Sequence, residues 1–175
     1  LSATENDMAL IVKECLSEIE ILIEQKKLSI IFDSKQTLAD FDKSLIHQVI
    51  INLLSNAVKY SPQEGKIKIL LITDEKMLKG ATQEVLQCSI KDQGIGIPAS
   101  ELDIVFDKFT QSSMTDTKAG GTGLGLAICH EIIAMHKGVI WAESPIHDKD
   151  LDTEEMQIGT AFHFKIPRYL NSSDN

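Results

Sequence analysis

The chain has 175 residues, 43% of them hydrophobic, and a formal net charge of −9. That length fits one domain whose core buries about 68–70% of the unfolded surface. The acidic balance argues against a nucleic-acid-binding face, which needs a local excess of lysine and arginine. No apolar run reaches the roughly 18 residues of a membrane span.

Residues Met8 to Lys26 carry Ile11, Val12, Cys15, Ile19, Leu22 and Ile23 at helical spacing, which predicts a first helix. Leu28–Phe32 and Thr37–Phe41 read as short strands. Asp42 suits the N-cap of a helix from Ser44 to Tyr60, which Ser61-Pro62 stops. Lys66–Thr73 and Val85–Asp92 read as a hairpin with a long polar connection, Asp74–Glu84. Pro98 suits the first turn of a short helix ending near Phe106. Thr110–Ala119 has no apolar periodicity and reads as a flexible loop, and Leu124–His136 reads as a helix. Val139–Glu143 and Thr160–Ile166 read as closing strands, joined through an acidic stretch, His147–Glu155, that reads as a solvated surface loop.

Hairpins outnumber βαβ crossovers in this order. The expectation is an α/β two-layer sandwich: a mixed, mainly antiparallel sheet of about five strands with three main helices on one face. One domain should span residues 1–168, with a disordered tail over 169–175. Cys15, Cys88 and Cys129 sit singly in apolar stretches with no Cys-x-x-Cys spacing, as expected of buried thiols in a reducing compartment. There is no signal peptide and no initiator Met, so the chain reads as a piece of something longer.

Three segments carry chemistry. In Ser44–Tyr60, the residues Ile46, Val49, Ile50, Leu53, Leu54 and Ala57 form a core stripe, while Asn52, Asn56 and Lys59 share a second face. Such a face is either plainly solvated or a Mg²⁺–phosphate site, with Asn56 offering a carbonyl oxygen to the cation and Lys59 a charge to phosphate. In Val85–Asp92, period two places Leu86, Cys88, Ile90 and Asp92 on one side. A carboxylate there must be capped by backbone N–H groups or satisfied by a ligand such as an exocyclic amine. Gly94 and Gly96 follow it and permit a tight turn. The run Gly94-x-Gly96-x-x-Ala99 also fits a dinucleotide fingerprint formally, but on a hairpin strand rather than in a βαβ unit. Finally, Gly120-Gly121-Thr122-Gly123-Leu124-Gly125-Leu126 opens a helix, whose free N–H groups suit an anion, without the Gly-Lys-Ser/Thr ending of a P-loop.

Taken in order, Asn52–Tyr60, Asp92–Gly96, Phe106-Asp107-Lys108-Phe109 and Gly120–Leu126 closely resemble the N-box, the two glycine boxes and the Phe-x-x-Phe box of sensor histidine kinase catalytic domains. That superfamily is shared with gyrase and mismatch-repair ATPases. The resemblance spans roughly Met8 to Pro167. It implies that Asn56 binds Mg²⁺, that Lys59 serves phosphate and catalysis, that Tyr60 covers the nucleotide and that Asp92 recognises adenine. It further implies that Gly94, Gly96, Gly121, Thr122, Gly123, Leu124 and Gly125 approach the ATP, that Thr160 supports the adenine site, and that Lys108 and Phe109 lie at the base of a mobile ATP lid, Thr110–Ala119. Gln111 stands near where many members carry a γ-phosphate arginine, and either Lys108 or Lys118 could supply that charge. Asn52 occupies the place of the water-activating glutamate of the hydrolytic relatives. An amide cannot take up that proton, so little intrinsic hydrolysis is expected. The phosphoacceptor histidine would lie on a separate dimerisation domain; Met135 stands where the acceptor motif's proline would follow His130. The implied function is transfer of the γ-phosphoryl group of Mg²⁺·ATP to that histidine, with a response regulator as the indirect partner. The implied location is cytoplasmic, with neither nucleic acid nor membrane contact by this chain. Two rivals are a hydrolytic ATPase of the superfamily and a degenerate module that binds nucleotide or protein without catalysis.

Overall fold

A computed structural model describes residues 1–33, 35–78, 80–107, 124–152 and 159–169. Strand β1 (Thr4–Asp7) leads into helices α1 (Met8–Glu18) and α2 (Glu20–Gln25), and then into strands β2 (Ser29–Phe32) and β3 (Leu38–Phe41). Helix α3 (Lys43–Tyr60) precedes the long hairpin of β4 (Lys66–Leu78) and β5 (Ala81–Asp92). Helix α4 (Gly125–Met135) is followed by β6 (Val139–Glu143) and β7 (Thr160–Pro167). The main sheet has five strands in the order β2-β4-β5-β7-β6. Only β2 and β4 pair in parallel, with α3 as their crossover; the other pairs are antiparallel. The expected two-layer sandwich is therefore the observed one.

The core forms where α1, α3 and α4 lie on one sheet face. Ile46, Val49, Ile50, Leu53, Leu54 and Ala57 of α3 are all fully buried, as their spacing predicts. They meet Ile67 and Ile69 of β4, Leu86, Cys88 and Ile90 of β5, and Phe162, Phe164 and Ile166 of β7. The three cysteines lie in this interior, and burial pushes each thiol up to about 12. Among the described residues no helix is long and apolar enough to cross a membrane.

Five expectations need correction. The short helix ending near Phe106 is only a 3-10 turn over Ala99–Glu101, followed by further turns. The first helix is two: at Ile19 the backbone turns to φ −106°, ψ 12°, and α2 buries none of its residues. An unexpected strand, β1, pairs antiparallel with β3 in a separate two-stranded sheet, so β3 does not join the main sheet. The hairpin strands run on through Asp74–Glu84, paired from Ile67↔Asp92 to Leu78↔Ala81. The acidic stretch is only partly a solvated loop. Asp148 is buried and pairs with Lys68 (3.0 Å) and Lys91 (2.9 Å) on the sheet face away from the helices. Burial pushes the Asp148 carboxyl up, but Lys91 and Lys68 outweigh it and hold it below its ordinary value. Leu151 and Ile146 are buried beside Ala161 and Ile31 on that face. From residue 170 on, the expected tail lies outside the described residues.

Both ends of α3 are tied down by side chains. At its start, Asp42 accepts from the N–H groups of Ser44 and Leu45. The N–H of Ser2 and the hydroxyl of Ser44 also reach this carboxyl, and together these donors hold it at about 2. The Asp42 N–H in turn donates to Nε2 of His136 (3.1 Å), whose Nδ1 faces the Ile132 carbonyl oxygen at 2.8 Å. His136 is thus a fully buried neutral imidazole that joins the C-terminal end of α4 to the start of α3. At the other end, the Lys26 ammonium donates to the carbonyl oxygens of Val58, Lys59 and Ser61 at 2.8, 2.7 and 2.9 Å. A cation on these otherwise unpaired carbonyls complements the helix dipole.

Candidate nucleotide site

The site lies where the end of α3, the end of β5 and the start of α4 converge. Period two along β5 delivers Asp92 to the helix-facing side, where it is 3% exposed. Burial pushes its carboxyl up to about 7, even though the N–H groups of Gly94 and Thr160 favour the ionised form. The Gly94 N–H donates to Asp92 Oδ1 at 2.7 Å. A Cβ at Gly94 would fall 2.6 Å from that oxygen and 3.0 Å from the Tyr60 carbonyl oxygen, so only glycine lets the turn lie against both. Gly96 adopts φ +83°, the left-handed region that glycine alone enters freely. Thr160 is buried directly opposite Asp92 in the β5–β7 register.

On α3, Asn52, Asn56, Lys59 and Tyr60 are all half-buried. The Lys59 ammonium stands 5.0 Å from the centre of the Tyr60 ring. Among the described residues the Asn56 amide makes no hydrogen bond. Asn52 faces α4: its Nδ2 lies 3.4 Å from the Gly125 carbonyl oxygen, and a Cβ at Gly125 would come 3.3 Å from its Oδ1. Gly125 therefore lets the first turn of α4 sit close on α3. Among the described residues no group of three or more His, Cys, Asp or Glu could hold a metal ion by itself.

The structure brings Asn52 and Gly125 together across α3 and α4, and Tyr60, Asp92, Gly94 and Thr160 together where α3 ends beside β5; Gly96 lies in the turn after Asp92, Asn56 and Lys59 lie between the two groups on α3, and Leu124 stands just before α4. Lys108, Phe109, Gly121, Thr122 and Gly123, together with the expected lid, Gln111 and Lys118, lie outside the described residues. Sequence reasoning missed Ser144 and Gly159, which touch the Gly94–Ile97 turn. Gly159 stands next to Thr160, which was a faint signal; a lone serine before a proline carries none.

Comparison with known proteins gives the family and the fold. Residues 41–170 match the family model described as histidine kinase-, DNA gyrase B- and HSP90-like ATPase. The sensor histidine kinase WalK of Bacillus subtilis (strain 168) is 43% identical over 137 residues, covering 78% of this chain and 20% of WalK. The adaptive-response sensory kinase SasA of Gloeothece citriformis (strain PCC 7424) is 38% identical over 156 residues, covering 88% of this chain and 35% of SasA. The chain thus spans about a third or less of these curated relatives. The nucleotide-free catalytic domain of histidine kinase ThkA superposes with a TM-score of 0.75 at 26% identity, covering 97% of this chain and 100% of that one. ThkA in complex with the response regulator TrrA also matches, with a TM-score of 0.69 at 25% identity, over 95% of this chain and 42% of that one.

Proposed function

Since the chain belongs to the histidine kinase-, DNA gyrase B- and HSP90-like ATPase family, as a sensor histidine kinase catalytic domain, we propose that it holds Mg²⁺·ATP between α3 and α4 and hands the γ-phosphoryl group to a histidine outside these residues. The observation that carries this reading is Asp92: a carboxylate buried on the helix-facing side, pushed up to about 7 by burial, with the backbone of the Gly94 turn lying directly against it. Its free lone pairs accept a hydrogen bond from the exocyclic amine of adenine, and Gly94 and Gly96 let the base approach the backbone. Tyr60 covers the base, and Thr160 supports the carboxylate from β7. Leu124 and Gly125 open α4, whose N-terminal end attracts phosphate, and Gly121, Thr122 and Gly123 complete that loop. Lys59 presents its charge to the phosphates, and Lys108 and Phe109 are further candidates for nucleotide binding. Asn56 donates a carbonyl oxygen to Mg²⁺, which when bound neutralises phosphate charge. Asn52 cannot deprotonate water, so the γ-phosphoryl group waits for an imidazole nitrogen, with ADP as the leaving group.

The acceptor histidine belongs to a dimerisation domain of the parent protein, and a response-regulator aspartate is the next acceptor. The solved pairing of ThkA with TrrA supports that partner class. The site faces the cytoplasm, whether or not the parent is membrane-anchored. Titration calorimetry with a non-hydrolysable ATP analogue, with and without Mg²⁺, tests the pocket. Magnesium should tighten binding to the unmodified chain but not to Asn56→Ala. Equal sensitivity of both to chelation would remove Asn56 from the metal site. Adding a phosphoacceptor domain in trans should yield phosphohistidine; nucleotide binding without it would leave a degenerate module.

A further inference from the structure

We propose that Ser144 is a positioning residue for adenine selectivity, acting by clamping the turn that follows Asp92; the inference rests on the reading of Asp92 as the acceptor of the exocyclic amine. The turn Asp92–Ile97 is bound at both ends to the β6–β7 connection. The Gly159 N–H donates to the Gly94 carbonyl oxygen at 3.0 Å. The Ile97 N–H donates to Ser144 Oγ at 2.9 Å, and that hydroxyl donates to the Gly159 carbonyl oxygen at 2.8 Å. One oxygen therefore ties together the end of β6, the glycine turn and the approach to β7.

The fit leaves no slack. A Cβ at Gly96 would come 2.9 Å from Ser144 Oγ. At Gly159, with φ +93°, a Cβ would collide with the Asp92 carbonyl oxygen. Beyond Ser144 the connection is anchored on the far face of the sheet, by buried Ile146 and Leu151 and by Asp148 on Lys68 and Lys91. Gln93, inside the turn, reaches the same anchor: its Nε2 donates to the Leu151 carbonyl oxygen while its Oε1 accepts from the Lys66 N–H at 2.6 Å. The turn thus hangs between the segment anchored at Ile146, Asp148 and Leu151 and the carboxylate it orients through the Gly94 N–H. Without the Ser144 hydroxyl, the Ile97 N–H and the Gly159 carbonyl both lose a partner. The turn then relaxes toward water, and Gly94 no longer fixes Asp92 against the amine.

The test compares ATP with purine riboside triphosphate, which lacks only the exocyclic amine, by calorimetry on this chain. In Ser144→Ala, ATP should bind about tenfold more weakly while the amine-free analogue stays within about twofold, and Ser144→Thr should restore ATP binding. Equal weakening of both nucleotides, or of neither, would overturn the role of Ser144. An unmodified chain that binds both nucleotides equally would instead remove Asp92 as the amine acceptor, and the inference with it. Should Ser144→Ala not fold, hydrogen exchange on the unmodified chain decides: the Ile97 amide should be protected about a hundredfold or more, and exchange at the free-peptide rate would overturn the clamp.

Discussion

Replacing Asp92 with asparagine should stabilise the nucleotide-free chain and cripple its nucleotide binding, with both effects depending on pH. Burial raises the Asp92 carboxyl from its ordinary 3.8 to about 7, so the folded chain binds more protons than the unfolded chain between those values. Stability contributed by this group is therefore complete below 3.8 and falls as pH rises through the window to about 7. The difference of about three pH units, at about 1.4 kcal/mol each, costs the folded state on the order of 4 kcal/mol at pH 8. Asparagine escapes that cost but offers one acceptor oxygen in place of two, which returns about 1 kcal/mol or more. The net gain is about 1–3 kcal/mol, a rise in Tm of roughly 2–12 °C for a domain of this size. At pH 4 the gain should vanish. ATP should meanwhile bind about ten- to a hundredfold more weakly, through loss of a charge-assisted hydrogen bond. Because the amine prefers the ionised carboxylate, ATP affinity of the unmodified chain should fall between pH 8 and pH 5.5, and that of Asp92→Asn should not. Thermal denaturation and calorimetry at both pH values check this. A variant that is less stable at pH 8, or that binds ATP within twofold of the original, would refute the reasoning.

His136 should make the chain acid-sensitive in a second way. Burial lowers its pKa below the ordinary 6.5, and Nε2 must stay unprotonated to accept from Asp42, so its contribution is complete above 6.5 and is lost as pH falls from there. Between pH 7.5 and 5.5 that loss is about 1 kcal/mol in urea denaturation, and His136→Gln should show little of the slope. Asp148→Ala takes the carboxylate from Lys91 and leaves Lys68 only the exposed Asp150, and should cost about 1–3 kcal/mol by the same measurement. Lys26→Met removes three carbonyl partners from the end of α3 and should cost about 1–3 kcal/mol, again read as a lower urea midpoint.

What was legible in the sequence is what local periodicity encodes. The α3 stripe and the alternation Leu86, Cys88, Ile90, Asp92 placed the site's two main walls on the right elements and facing the right way. What was illegible depends on partners far along the chain. Thr4–Asp7 has no apolar alternation, and only its backbone pairing with β3 makes it a strand. Asp74, Glu75 and Glu84 are exposed, so the extended hairpin looked like a polar loop, although Leu78 near its tip is buried. The helical spacing of Ile19, Leu22 and Ile23 continues in the sequence across the break at Ile19, which hid it, although α2 buries none of its residues. Asp148 read as solvated because its lysines come from β4 and β5. The clamp at Ser144 has the same character: three segments meet at one hydroxyl, and none of them signals it locally.

The hydrogen bond from Asp42 to His136 pins α3 and α4 together at the ends farthest from the nucleotide. From there α4 runs back along α3 to Gly125, where the contact with Asn52 is long, at 3.4 Å. The two helices are therefore arranged like a pair of compasses, with the pivot at the histidine and the point at Gly125. Eleven residues of α4 make an arm of about 16 Å, so a swing of only about 4° carries Gly125 by about 1 Å. A small rotation at the buried imidazole would thereby be geared up into a larger displacement at the start of α4.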